Sequence, residues 1–171
     1  IDALGGDIHG FGIFAGEPES PWQEFLPFAW GNGADVLSED LSNVVIDSPQ
    51  MLETLEYYHK LKEYSIVDRQ SQINNLFANG KVGIQISGFW NYRLIPRINP
   101  RLNFAAALLP KPQPNKGTAA AFAGGEVFVV MSQSKHPEEA VKLIKFLISE
   151  ENTMEVVKVQ QNIIPTAKSA V

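Results

Sequence analysis

Three places in the chain set a flat aromatic ring beside glycine and a short polar side chain. Trp30 precedes Gly31-Asn32-Gly33, Gly88-Phe89-Trp90-Asn91 forms a second group, and Phe122 leads into Gly124-Gly125-Glu126. Such groups are suited to holding a molecule rather than to breaking bonds. A sugar ring offers an apolar face of C–H groups and a rim of hydroxyls, and it fits a pocket of aromatic platforms with a few convergent polar atoms. Indole is rigid and loses little conformational entropy on binding. Taken singly, each of these aromatics is more often a core side chain.

Residue sets for other chemistry are absent from the sequence. The three histidines, His9, His59 and His136, have no second ligand at the helical or short-turn spacing of a zinc site. His59 reads as a helix residue and His136 as a helix cap. No nucleophile elbow, phosphate-cradling loop or dinucleotide fingerprint occurs; Gly5-Gly6 and Gly124-Gly125 are too short to count. Cysteine is absent, which removes disulfides, thiol catalysis and cysteine metal sites. Asp35, Glu39, Asp40 and Asp47 read as a solvated acidic stretch, with a weak calcium site as the alternative. No metal or cofactor is expected. Glycosidase carboxylates are defined by their separation in space, so a carbohydrate-active enzyme using Glu126 and an acid of the Asp35–Asp47 stretch stays open. So does an interaction or structural domain whose aromatics are all core.

The formal net charge of −5 and the scattering of basic residues argue against nucleic acid as a partner, since such binders carry a basic face. Lys60/Lys62, Arg93/Arg97/Arg101 and Lys142/Lys145 are spaced as solvated faces. Apolar residues make up 44% of the chain and charged residues 19%, the composition of a globular domain. No apolar run approaches the ~20 residues that span a bilayer.

The elements that must position these groups can be read in outline. Gly10–Ala15 reads as a strand whose glycines admit close packing. Ser20-Pro21-Trp22-Gln23 carries a capping box and a first-turn proline, so a helix is expected to about Trp30, stopped by Gly31-Asn32-Gly33. Val36–Val45 reads as an irregular link. Ser48-Pro49 repeats the start signal, and apolar residues at Met51, Leu55, Tyr58 and Leu61 recur at helical spacing. A shorter helix with Ile73, Leu76 and Phe77 on one face ends at Asn79-Gly80. Val82, Ile84 and Ile86 alternate as in a strand with one face in a core, and the segment runs directly into Ser87-Gly88-Phe89-Trp90-Asn91. Phe104–Leu109 and Glu126–Met131 read as further strands, with the stiff Pro110–Pro114 connector after the first. Helices are expected from Pro137, with Ala140, Leu143, Ile144 and Leu147 on one face, and over about Asn152–Val159. Alternating strands and helices argue for an α/β domain.

Whole segments resemble the family 1 extracellular solute-binding proteins, the sugar-binding components of ABC importers. The run from Leu76 through Phe77-Ala78-Asn79-Gly80-Lys81-Val82-Gly83 to Gly88-Phe89-Trp90 is similar to that family's F-x-x-G-K-x-A-M-x-x-x-G-x-W segment, with Gly83 for the usual Ala and Phe89 where Pro is common. Phe28–Asp35, Ile46-Asp47-Ser48-Pro49, Leu109-Pro110, Gly124-Gly125, the run Ser134-Lys135-His136-Pro137-Glu138-Glu139-Ala140 to Phe146-Leu147, and Gln161-Asn162-Ile163-Ile164-Pro165 resemble other family stretches in the same order. Each match is weak alone; their joint order and spacing are specific.

The resemblance implies a type II periplasmic-binding-protein-like fold, with part of a two-lobe architecture and a mixed sheet flanked by helices. It implies second-lobe material over about 1–108, a hinge or connector over 109–117, a segment that packs on the first lobe over 118–160, and a crossover back over 161–171. Family members are longer, so this chain is expected to lack the first lobe's opening units and the final helices, and to self-associate through the apolar surface so exposed. Carried over, Trp90 matches a tryptophan that stacks on sugar, flanked by Gly88 and Asn91. Trp30 and Asn32 match cleft-lining positions, and Gly124, Gly125 and Glu126 a glycine pair near the ligand with a hydroxyl acceptor beside it. The implied partners are a sugar or oligosaccharide and an ABC transporter permease. The implied location is extracytoplasmic, periplasmic or lipid-anchored at the cell surface, and no catalysis is implied.

Overall fold

In the computed structural model the residues described are 8–18, 21–125 and 127–160. They cluster into two compact units. The first comprises the chain up to Gly88 together with Leu94–Ala123, and the second comprises Phe89–Arg93 and the chain from Gly124 onward.

The first unit is built on a parallel sheet. Strand β1 (His9–Ile13) lies between β2 (Ser65–Val67) and β3 (Val82–Gln85). Phe11 pairs with Ser65 on one side and Ile84 on the other. A central parallel strand is covered on both faces, and Phe11, Ile13 and the following Phe14 are accordingly buried. Gly12 is required by close approach: a Cβ there would collide with Cγ2 of Ile73 from the helix packed over the strand. The resemblance implied a mixed sheet; every pairing among the described strands is parallel.

Helix α1 (Pro21–Gly31) follows β1. Ser20, the expected cap, lies outside the described residues. The end of α1 is a Schellman motif, in which the amide of Ala34 donates to the Ala29 carbonyl and that of Gly33 to the Trp30 carbonyl, with Gly33 left-handed at φ 83°. That geometry needs a residue without a Cβ penalty, which is why the glycine stops the helix. Helix α2 (Pro49–Leu61) starts as its sequence predicts: Ser48 Oγ accepts from the Met51 amide at 3.2 Å and Pro49 occupies the first turn. Its buried face is turned relative to the apolar spacing. Met51 and Thr54 are buried, whereas Leu52 and Leu55 are 59% and 49% exposed. Met51 closes a small core with Ala29, Ala34 and Phe25, and the rings of Phe25 and Phe28 pack on Tyr58.

A short 3-10 turn (Lys62–Tyr64) leads to β2, and helix α3 (Gln70–Ala78) connects β2 to β3. Ile73 and Ala78 of α3 are fully buried. In β3 only Val82 is buried, and Ile84 is 58% exposed, so the alternation expected there produces one buried position. Two elements were not expected from the sequence. These are β2 and helix α4 (Asn91–Ile98), which contains Pro96.

Neither Phe104–Leu109 nor the described part of Glu126–Met131 forms a strand. A strand exists through its ladder, and no neighbouring strand pairs with either segment among the described residues. Leu108, Val127, Phe128 and Val129 stand exposed as a result.

The second unit contains helices α5 (Pro137–Leu147) and α6 (Glu150–Gln160), both at their expected places. His136 is the N-cap of α5, without a side-chain capping bond. The guanidinium of Arg93 donates to the Val159 and Gln160 carbonyls at the end of α6. Neither helix has a buried residue, and Leu143, Phe146 and Val159 are exposed. Among the described residues no helix is long and apolar enough to cross a membrane.

Candidate solute-binding site

In the first unit, α1 carries an aromatic cluster. Trp22 in the first turn and Trp30 in the last both reach Phe122. Trp22 meets it edge to face, with 4.8 Å between centroids and 85° between planes. Trp30 lies parallel to it, at 6.3 Å and 11°. Both geometries are favoured by the ring quadrupole. The cluster is not core: Trp22 is 45% exposed, and Trp30 and Phe122 are half-buried. The indole N–H of Trp30 donates to Asp35 Oδ1 at 3.1 Å, and the same oxygen accepts from the Val36 amide. That bond fixes the rotation of the Trp30 ring. Sequence reasoning named Trp30 and missed Trp22. The signal was available: Trp22 and Trp30 stand near one face of the same helix.

Asn32 caps the end of α1 and is buried. Its amide nitrogen donates to the Gln50 carbonyl and to Glu53 Oε2, both at 3.0 Å, and lies 3.4 Å from Thr54 Oγ1. Its donors therefore tie α1 to the start of α2, while Oδ1 is buried without a hydrogen-bond partner. Glu53 in turn accepts from Lys116 Nζ at 3.1 Å. The Asn32 bond and the Lys116 charge hold the Glu53 carboxyl below its ordinary range.

Gly88, half-buried, closes the segment after β3. In the second unit Trp90 sits in the turn that opens α4. There the Tyr92 amide donates to the Phe89 carbonyl and the Arg93 amide to that of Trp90. The Trp90 indole is 38% exposed, too much for a core side chain. Phe89 and Tyr92, in the same turn, pack on each other with centroids 5.1 Å apart. Asn91 is buried. Gly124 and Gly125 are exposed, and a Cβ on Gly125 would meet nothing. Glu126 lies outside the described residues. Trp30, Asn32 and Gly88 thus belong to one unit, and Trp90, Asn91, Gly124 and Gly125 to the other.

Within the acidic stretch, Asp40 sits in a local turn. Asp40 accepts from the hydroxyls of Ser38 and Ser42 and from the Ser42 amide. Those bonds hold its carboxyl at about 2. Among the described residues no group of three or more histidine or acidic side chains is placed to hold a metal.

The sequence matches the bacterial extracellular solute-binding protein model over residues 2–171. The chain belongs to that family. A binding protein of Brucella abortus (strain 2308) is 27% identical over 158 residues, covering 88% of this chain and 37% of its own length. Two solved structures share the fold. The ABC transporter solute-binding protein of Thermotoga lettingae, bound to α-D-tagatose, superposes with a TM-score of 0.69 at 24% identity over 96% of this chain and 43% of its own. UgpB of Mycobacterium tuberculosis, in complex with glycerophosphocholine, gives 0.71 at 21% over 99% and 43%. The α/β, periplasmic-binding-protein-like architecture expected from the sequence is the one these structures have. The chain spans well under half the length of the relatives it matches. The family is one of binding proteins rather than enzymes.

Proposed function

We propose that this chain is part of an extracytoplasmic protein that holds a sugar or oligosaccharide and delivers it to an ABC transporter permease. The observation that carries this reading is the half-exposed platform of Trp22, Phe122 and Trp30. A fully buried cluster would be core, whereas here Trp22 is 45% exposed and Trp30 and Phe122 are half-buried, and the rings are preordered by one another and by Asp35. A preordered apolar surface binds with little entropy cost. Trp90 supplies a second platform, with Gly88 and Asn91 flanking it in the sequence. Gly124 and Gly125 let a solute approach the backbone, and Glu126 accepts from a hydroxyl. Asn32 has only Oδ1 left to offer.

In this reading residues 1–108 are mainly second-lobe material, 109–117 the connector, 118–160 the part that packs on the first lobe, and 161–171 the crossover. The exposed apolar residues of α5 are then the face that packs on the first lobe. The solute closes the lobes about a hinge.

The test is a titration followed by tryptophan fluorescence, on this chain and on a version extended to the length of its relatives, with tagatose, maltose and glycerophosphocholine. Saturable binding of a sugar by the extended protein, weakened by Trp90→Ala and by Trp22→Ala, supports the reading. Response to glycerophosphocholine alone replaces sugar with a phosphodiester as the ligand class. No response to any of the three removes the platform argument.

A further inference from the structure

The aromatic platform is assembled from two distant stretches of chain. Trp22 and Trp30 come from α1, whereas Phe122 arrives at the end of the proline-rich connector. Something must fix where that connector lands, and three features converge on the end of α1. The Thr118 amide donates to the Gly31 carbonyl at 3.0 Å. Gly117 adopts φ 76° against the same carbonyl and the ring of Pro112, where any Cβ would collide. Lys116, held in a tight turn by its own amide bond to the Gln113 carbonyl, reaches Glu53 across 63 positions of sequence.

Glu53 is the link in this arrangement. It accepts from Asn32 on the α1 side and from Lys116 on the connector side through the same Oε2 atom. The ion pair is about half exposed, at 46% and 55%, and pairs of this kind add little to stability. Its geometry nevertheless differs from that of a free surface pair. Asn32 is buried and committed to α2, so it orients the Glu53 carboxylate in advance, and little rotamer entropy remains to be lost when Lys116 engages.

We infer that Glu53 and Lys116 are positioning residues. They clasp the connector to the end of α1 so that Phe122 is held over Trp30. The inference rests on the binding reading only for its consequence, that solute affinity depends on the clasp. The placement of Phe122 can be measured without any solute.

The test uses near-ultraviolet circular dichroism of the full chain, which reports the packing of the aromatic rings, alongside far-ultraviolet spectra and thermal unfolding. Phe122→Leu supplies the reference difference spectrum for loss of the ring pair. Lys116→Met and Glu53→Lys are expected to reproduce that difference with unchanged helix content and nearly unchanged unfolding midpoints. The native signal should also weaken with salt, as the attraction is screened, while that of Lys116→Met does not respond. Single variants with native near-ultraviolet spectra overturn the inference. In the extended protein, maltose affinity should fall about three- to tenfold in Lys116→Met, the range that one aromatic pairing is worth. If the wild type does not bind maltose, the sugar reading fails for that ligand while the spectral result still decides the clasp.

Discussion

The ring of Phe122 lies parallel to the indole of Trp30, with 6.3 Å between centroids and 11° between planes. The two residues stand far apart in the sequence and in different kinds of local structure, one in an irregular stretch and the other in the last turn of α1. Their pairing turns two separate aromatics into one surface, and both residues stay half-buried in the folded unit.

Trp90→Ala should separate binding from stability. A buried tryptophan replaced by alanine costs about 3–5 kcal/mol. With its indole 38% exposed, Trp90 should cost about 1 kcal/mol in urea unfolding, while solute affinity in the extended protein falls about a hundredfold. A loss of the full core magnitude would make Trp90 a packing residue.

Glu24 should make stability depend on pH. It is 1% exposed and accepts from the Phe14 amide at 2.7 Å; its second oxygen and the nearby Tyr58 hydroxyl are buried without a well-formed bond. Burial pushes the Glu24 carboxyl from 4.5 up to about 7, and burial also pushes the Tyr58 phenol up. The folded state then keeps a proton that the unfolded chain has already released. The contribution of Glu24 is full below about pH 4.5 and falls away as the pH rises to about 7, by up to about 3 kcal/mol. Glu24→Gln keeps an acceptor for Phe14 and removes the charge. It should flatten this slope and be the more stable protein at pH 8, as read by urea midpoints at pH 5 and pH 8.

Gly117→Ala should destabilise the first unit by about 2 kcal/mol or more. Left-handed geometry costs a residue with a Cβ about 1 kcal/mol, and the collision with the Gly31 carbonyl adds to that. Gly33→Ala pays the first cost without the second, since a Cβ there meets nothing, so it should lose about half as much in thermal unfolding.

Ser48→Ala should cost about 1 kcal/mol, the ordinary value of a helix N-cap. The Met51 amide loses its side-chain acceptor, and amide exchange in the first turn of α2 should quicken.

Much of this fold was legible because its signals are local. Ser48-Pro49 starts a helix, Gly33 ends one, and Ile73, Leu76 and Phe77 show a face. What escaped depends on distant chain. Ser65–Val67 becomes a strand only because β1 lies beside it. Phe104–Leu109 has strand composition but no ladder. Leu55 has helical spacing, yet Thr54 takes the buried position, with its hydroxyl donating to the Gln50 carbonyl and facing Asn32 from another segment. The site divides similarly. Trp30 and Trp90 stood out by type and by neighbouring glycine, while Trp22 joined them only through Phe122. Asn32 looked like a solute ligand, and the donors it would offer are spent on α2.

Calorimetric titration of the extended protein with tagatose and maltose, comparing wild type with Trp22→Ala and Trp90→Ala, decides whether these partly exposed aromatic rings hold a sugar. Saturable one-site binding of at least one sugar is expected, lost or greatly weakened in both variants while their far-ultraviolet spectra remain native. Binding that survives both substitutions unchanged, or an absence of binding to either sugar by the wild type, would contradict it.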